Sequence, residues 1–389
     1  DQTWSIIDDK RSKIYTYDIN GNLLFAFGDK GSMLGSVSSI EAITYQGDTM
    51  LVLDKSLNCI VVYERTDYGD MLLEAIAAEN SLDYNYAIQC WRAVLQHNSN
   101  FDAAYVGIGN ALYRSGEYEA SLEYFETAYD TENWSNSYRE VRKEWMSEYF
   151  LLLIAIIVAV IVGLVKFFGF AQKVNKKAAT DGRDQKTFGQ ELMYGFHTIL
   201  HPFDGFWDLT HEKRGTIAAA NTILILTVLS RILKLQYTSF IFNKVYWPKV
   251  NIFLYIASIL FPLALYCVGN WALTTLFDGK GRLSQVYMAT CYGMLPYPVI
   301  QFPLILLSNV VTVEEGAFYS VLSALSLVWA GILIISAMME IHEYKLGKTI
   351  FFTIATIFAM LVMVFLLLLF FSSQPCLLNS MQAEELWLL

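Results

Sequence analysis

The chain has 389 residues, 55% of them hydrophobic, and a formal net charge of −10. That apolar share is too large for a wholly water-soluble protein. The charge is uneven: residues 1–149 hold 11 Lys and Arg against 24 Asp and Glu, and residues 150–389 hold 16 against 13. An acidic, solvated region therefore precedes an apolar, mildly basic one, and nucleic acid is excluded as a partner of the first because phosphate binding needs clustered Lys and Arg. Cys59, Cys90, Cys267, Cys291 and Cys376 have neither CxxC nor metal-ligand spacing.

The first 67 residues read as strands. Ile7-Asp8 followed by Ile14-Tyr15-Thr16-Tyr17 recurs 46 residues later as Leu53-Asp54 and Ile60-Val61-Val62-Tyr63, and each copy alternates like a half-buried strand. Asn20-Gly21 predicts a hairpin turn into Leu23-Leu24-Phe25-Ala26-Phe27-Gly28. The pattern resembles the NHL-type β-propeller repeat over residues 1–67. That is about one and a half blades, so upstream sequence completing the propeller is expected, the alternative being a short sheet. Asp1 is preceded by no initiator Met and no signal-type apolar run.

Over residues 68–149 the period changes to 34. Tyr84, Ala87, Trp91 and Val94 recur as Tyr118, Ser121, Phe125 and Ala128, with Tyr105, Ile108, Gly109 and Gly116 filling the second unit. Small residues at 87, 109 and 121 let helices approach closely, and Trp91 and Phe125 take equivalent buried places. This resembles the tetratricopeptide repeat, with Ser121 where that repeat has Ala. The resemblance implies a binding face on the first helix of each pair, here with Asn110 and Arg114 exposed between Tyr105, Ile108 and Leu112. A last helix over 136–149 is expected to run into the membrane without a breaker.

Residues 150–168 are uncharged from Phe150 to Val165, and with Lys166 snorkelling and a cluster of Phe beyond it the run is long enough to cross a bilayer. The linker, 169–214, reads as a polar loop from Lys173 to Lys186. An amphipathic helix on the membrane surface follows, because Phe188, Leu192, Met193, Phe196, Ile199, Leu200 and Phe203 fall at helical spacing. Pro202 and Gly205 are expected to break it, and Phe196, His201, Pro202, Phe206 and Trp207 to sit at the membrane interface. His197 and His201, four apart, have a metal-chelating spacing, but no Cys or carboxylate completes a set, and an interfacial cap is the better reading.

Five more spans read at 215–236, 251–276, 286–309, 317–340 and 349–372, with a tail over 373–389. Orientation follows the short loops. Those containing Lys166 to Arg214, Lys280 and Arg282, and Lys345 and Lys348 carry twelve basic residues, while the other side has four, Arg231, Lys234, Lys244 and Lys249. The N-terminal region and the tail are therefore expected outside the cytoplasm, with Arg231 and Lys234 snorkelling from a span end. Phe277-Asp278-Gly279-Lys280-Gly281-Arg282-Leu283 followed by Tyr292-Gly293-Met294-Leu295-Pro296, and later Glu340, His342 and Lys345 to Lys348, resemble the bacterial Yip (Ypt-interacting protein) membrane domain. Gly279, Lys280, Gly281, Tyr292, Pro296, Glu340 and His342 are the residues that match its motifs. The resemblance implies membrane organisation or partner binding, and no cofactor.

No catalytic set is legible. His211-Glu212 and His342-Glu343 lack the second His of HExxH, Gly279-Lys280-Gly281 lacks the phosphate-loop spacing, and no GxSxG elbow or intramembrane Asp pair exists. The whole reads as a multidomain membrane protein: incomplete propeller strands, helical repeats and an all-α polytopic domain with six spans in total. The expected function is a non-enzymatic scaffold that binds protein partners through its extracytoplasmic repeats. The combination of segments is similar to accessory proteins of sugar-type ABC transport systems, whose subunits would be the partners. A ligand-sensing receptor, or a channel or carrier built from the Yip-like spans, is the alternative.

Overall fold

The computed structural model describes residues 3–19, 21–31, 33–180, 186–245 and 247–386, with the side chains of Thr180 and of residues beyond Phe370 left aside. It divides into two compact units, Asp1–Phe150 and Leu151–Leu389.

In the first unit, β1 (Thr3–Asp8), β2 (Lys13–Asp18) and β3 (Leu23–Phe27) form one antiparallel sheet. A second is made of β4 (Ile40–Gln46), β5 (Thr49–Asp54) and β6 (Cys59–Glu64). The 46-residue repeat is a repeat of register. Thr3 pairs with Asp18 and Asp8 with Lys13 in the first sheet, and Thr49 with Glu64 and Asp54 with Cys59 in the second. The connecting turns match too: Ser12 and Asn58, also 46 apart, take left-handed φ values of 53° and 48°. The repeated aspartate ties each turn, since Asp8 accepts the Arg11 N–H and Asp54 the Leu57 N–H, both at 3.1 Å. Asp54 also accepts the Ser38 N–H at 2.6 Å, and these bonds hold its carboxyl at about 2 despite full burial. The strand that would follow β6 in register with β3 is missing, because that stretch begins a helix. Asn20 of the expected hairpin lies outside the described residues; Gly21 beside it sits at φ +85° and donates to Asp18.

Five helices follow: α1 (Asp67–Asn80), α2 (Tyr84–His97), α3 (Asp102–Ser115), α4 (Tyr118–Thr127) and α5 (Thr131–Glu148). Each packs on the next. Thr66, Asp83 and Asp130 cap α1, α2 and α5 by accepting a backbone N–H of the first turn, and Gly116, at φ +87°, stops α3. Trp91 of α2 and Phe125 of α4 are both buried against α3. A Cβ on Gly107 would lie 2.3 Å from Trp91 Nε1, and one on Gly109 2.6 Å from the Phe125 ring, so these glycines are what lets the helices meet. Ser121, the departure from the repeat pattern, pairs with Ser137 of α5 at 2.8 Å, a contact that alanine cannot make. The last helix starts five residues before the expected 136, because Asp130 supplies its cap, and it ends at Glu148 with Tyr149 as its C-cap.

In the second unit the first span is α6 (Phe150–Thr180). It runs past the expected end at 168: residues 173–180, read as loop, are helical. Ala171, Asn175 and Ala178 are buried at one-turn spacing, and Asn175 reaches the Met193 carbonyl at 3.5 Å. After α7 (Phe188–Leu200) comes α8 (Pro202–His211), so the proline expected to break a helix starts one, at the position where its missing N–H costs nothing. The remaining spans are α9 (Ile217–Tyr237), α10 (Ile252–Thr275), the pair α11 (Leu283–Gly293) and α12 (Pro296–Leu307), α13 (Gly316–His342), and α14 (Leu346–Leu386) as far as Phe370. Among the described residues, six stretches are thus long and apolar enough to cross a membrane. The core joins Tyr194 of α7 and Phe206 and Leu209 of α8 to Ile223, Tyr292, Leu333 and Met338. The segment assigned to the linker is thereby part of the membrane domain's packing.

Candidate functional site

Four of the motif residues, Gly279, Lys280, Gly281 and His342, gather at one end of α10, α11, α13 and α14. After α10 the chain turns through Asp278, at φ +59°, so that the Gly279 N–H donates back to the Thr274 carbonyl at 2.8 Å. Gly279 and Gly281 then press on α13: a Cβ on Gly281 would lie 2.4 Å from Ile341 Cγ2 and 2.9 Å from His342 Nδ1, and one on Gly279 2.7 Å from Thr274. The Gly-Lys-Gly spacing serves close backbone approach.

His342 is 2% exposed and bonded on both ring nitrogens. Nδ1 accepts the Gly281 N–H at 3.3 Å, which places the proton on Nε2, 3.0 Å from Asn270 Oδ1. Asn270 in turn donates to Thr356 Oγ1 at 3.2 Å, and Thr356 to the Phe352 carbonyl at 2.7 Å. One chain of polar groups therefore links the loop after α10 to α13, α10 and α14. The turn after α13 closes the arrangement from outside. Lys280 pairs with Glu343, while Tyr344 Oη and Lys348 Nζ both donate to the Phe277 carbonyl, at 2.7 and 3.2 Å. The two motif segments, read separately along the chain, form a clasp.

Glu340, Tyr292 and Pro296 do not join it. Glu340 is half-buried, with Asp204 and His211 of α8 as its charged neighbours. Tyr292 is fully buried and donates to the Glu191 carbonyl at 2.9 Å, fixing α7 to α11. Pro296 opens α12 after the break at Met294-Leu295.

The expected interface residues divide. Phe206 belongs to the core and is fully buried, a correction that follows from the helix begun by Pro202, which turns Phe206 and Leu209 inward together. Trp207, on the opposite face, is exposed and stacks on His211 at 4.5 Å. Phe196 meets Phe167 edge to face at 4.9 Å. His201 is exposed at the junction of α7 and α8 and stacks on His197 at 4.6 Å, and burial together with His201 pulls the His197 imidazole below its usual range. Among the described residues, no three His, Cys, Asp or Glu come together as a metal set.

In the first unit, Asn110 is half-buried and Arg114 exposed on α3. Both act on Glu79 at the end of α1, a residue the sequence reading passed over. Burial raises the Glu79 carboxyl, opposed by Trp91, Arg114 and Asn110. A cavity of about 560 Å³, lined by Phe25, Phe27, Tyr45, Tyr63, Arg65 and Tyr68, lies between the two sheets and the start of α1.

No curated protein and no solved structure matches the chain, and no family match covers the repeats of residues 1–149. Residues 196–369, from the middle of α7 to the last turn of the α14 span, match the family model described as the Yip1 domain.

Proposed function

We propose that this multi-pass membrane protein is a non-enzymatic scaffold that binds protein partners through its outer unit, with subunits of an ABC-type (sugar) transporter as the partner class. In this reading the two sheets are blades of an NHL-type propeller, supported by their common register, and α1 to α4 are two tetratricopeptide repeats, supported by the matching burial of Trp91 and Phe125. The observation that carries the proposal is the placement of half-buried Asn110 and exposed Arg114 on α3, with Glu79 of α1 within their electrostatic reach, since stacked helical repeats bind partners across such a face. Charge reversal by Arg114→Glu combined with Asn110→Arg is expected to cut partner recovery from native membranes at least tenfold while leaving the melting curve in place. Equal recovery of the same partners would remove this face from consideration.

The twelve-to-four bias of Lys and Arg supports an extracytoplasmic outer unit. A single-cysteine variant at exposed Lys177, in the last turn of α6 beyond its apolar run, is expected to resist a membrane-impermeant thiol reagent in intact cells and to react after permeabilisation. Labelling in intact cells would reverse the assignment. The aromatic cavity favours a second reading, a receptor for a small solute, which predicts solute-dependent stabilisation lost on Tyr63→Ala.

A further inference from the structure

Arg231 and Lys234 stand one turn apart on α9, expected from sequence to reach outward to water. They turn instead into the junction of α10, α12 and α13. Arg231 Nη1 is 3.5 Å from Tyr297 Oη, and its guanidinium lies 5.6 Å from the Tyr255 ring centroid. Lys234 Nζ donates to Ser323 Oγ at 2.9 Å and stands 5.6 Å from the Tyr319 ring centroid. Both are half-buried, and among the described residues neither has a carboxylate within ion-pair distance. Two desolvated cations without a counter-charge are costly, and in membrane domains such groups face a ligand or a pathway.

Gln301 supplies the independent sign of a missing ligand. It is 0% exposed, its Nε2 donates to Ser323 Oγ at 3.1 Å and Ser326 Oγ at 2.9 Å, and its Oε1 has no partner. The Lys234 ammonium and the Gln301 amide share the Ser323 hydroxyl, which places the amide beside the cation. With the amide turned over, the oxygen accepts from the Ser323 hydroxyl and the N–H₂ group is left as a free donor. The depth is also specific. Arg231 and Lys234 lie six and three residues before the end of α9, about 9 and 5 Å along the axis at ~1.5 Å per residue, and Tyr255 and Tyr319 each lie three residues inside the start of their helices. That is within one to two turns of the loops 238–251 and 308–315.

We propose that Arg231, Lys234, Tyr297 and Gln301 form a binding site for a phosphate-type oxyanion, held by two cations and two neutral donors. The source is either the phosphate of an anionic phospholipid or a free phosphate.

The test uses the full chain in neutral detergent at low salt, comparing its Tm with phosphatidylglycerol, phosphatidylcholine and inorganic phosphate. Phosphatidylglycerol is expected to raise Tm by roughly 5 °C over phosphatidylcholine, equally in a Lys244→Gln control, and the rise should vanish in Arg231→Gln/Lys234→Gln. A rise with inorganic phosphate instead, lost in the same double variant, keeps the site and assigns it to a soluble anion. The proposal is overturned if neither phosphate source raises the Tm of the parent, or if the double variant responds as the parent does. Where the double variant does not fold, Gln301→Leu decides, keeping both cations and removing the amide. Half-saturation by phosphatidylglycerol should then need roughly tenfold more lipid, and an unchanged value overturns the site.

Discussion

Replacing His342 by alanine is expected to destabilise the detergent-solubilised protein by about 3–5 kcal/mol, through two orphaned polar groups and a cavity. The Gly281 N–H loses its acceptor and Asn270 Oδ1 its donor, both in a site closed to water. The surface bonds from Lys280, Tyr344 and Lys348 remain but join exposed or partly exposed groups, and such contacts hold a loop only weakly once its buried anchor is gone. His342→Gln, which can still donate toward Asn270, is expected to retain part of the loss. Thermal melting of parent, Ala and Gln forms by intrinsic fluorescence checks this. Three coincident curves would mean that the polar chain from Gly281 to Thr356 does not hold the spans together.

In the first unit, Trp91→Ala and Phe125→Ala should each cost about 3–5 kcal/mol, as truncation of a large buried ring does. The reason is local: each ring fills the space that a glycine of α3 leaves open, so its removal empties a helix-to-helix contact that no neighbouring side chain can refill. Gly109→Ala should lower stability in the same sense from the other side, by driving a methyl group into Phe125. Denaturant unfolding of the fragment 1–149, followed by circular dichroism, measures all three. An unchanged midpoint for both ring variants would show that the 34-residue spacing does not mark equivalent buried sites.

These two regions differ in how far they could be read in advance. The apolar spans follow from run length, because a stretch without charge has no other stable environment, and all six are present. The strand repeat was visible as alternation, and the register adds what alternation lacks, namely the paired left-handed turns tied by Asp8 and Asp54. The clasp was present only as two separate motifs. Gly281 and His342 are 61 positions apart, and no period links residues brought together across two spans. Pro202 misled because proline ends a helix or begins one depending on which side supplies the N–H groups. The charges of Lys173 to Lys177 suggested a loop, yet one face of that segment buries Ala171, Asn175 and Ala178. Glu79 and Gln301 gave no signal in the sequence: a single polar residue in an otherwise ordinary helix shows its role only through its neighbours.

The divided span has a consequence for how the protein enters the membrane. The stretch Leu283–Leu307 is the least hydropathic of the six and has the largest share of its surface covered by other helices. Its two halves, of 11 and 12 residues, are each too short to cross a ~30 Å core alone. Pro296, Pro298 and Gln301 lie in the middle of it, where a helix released singly into lipid would leave polar groups facing hydrocarbon. This segment is therefore poorly suited to leaving the translocon on its own. It packs against α9, already inserted, and against α13, which is made after it, so its insertion is expected to be completed only once α13 arrives.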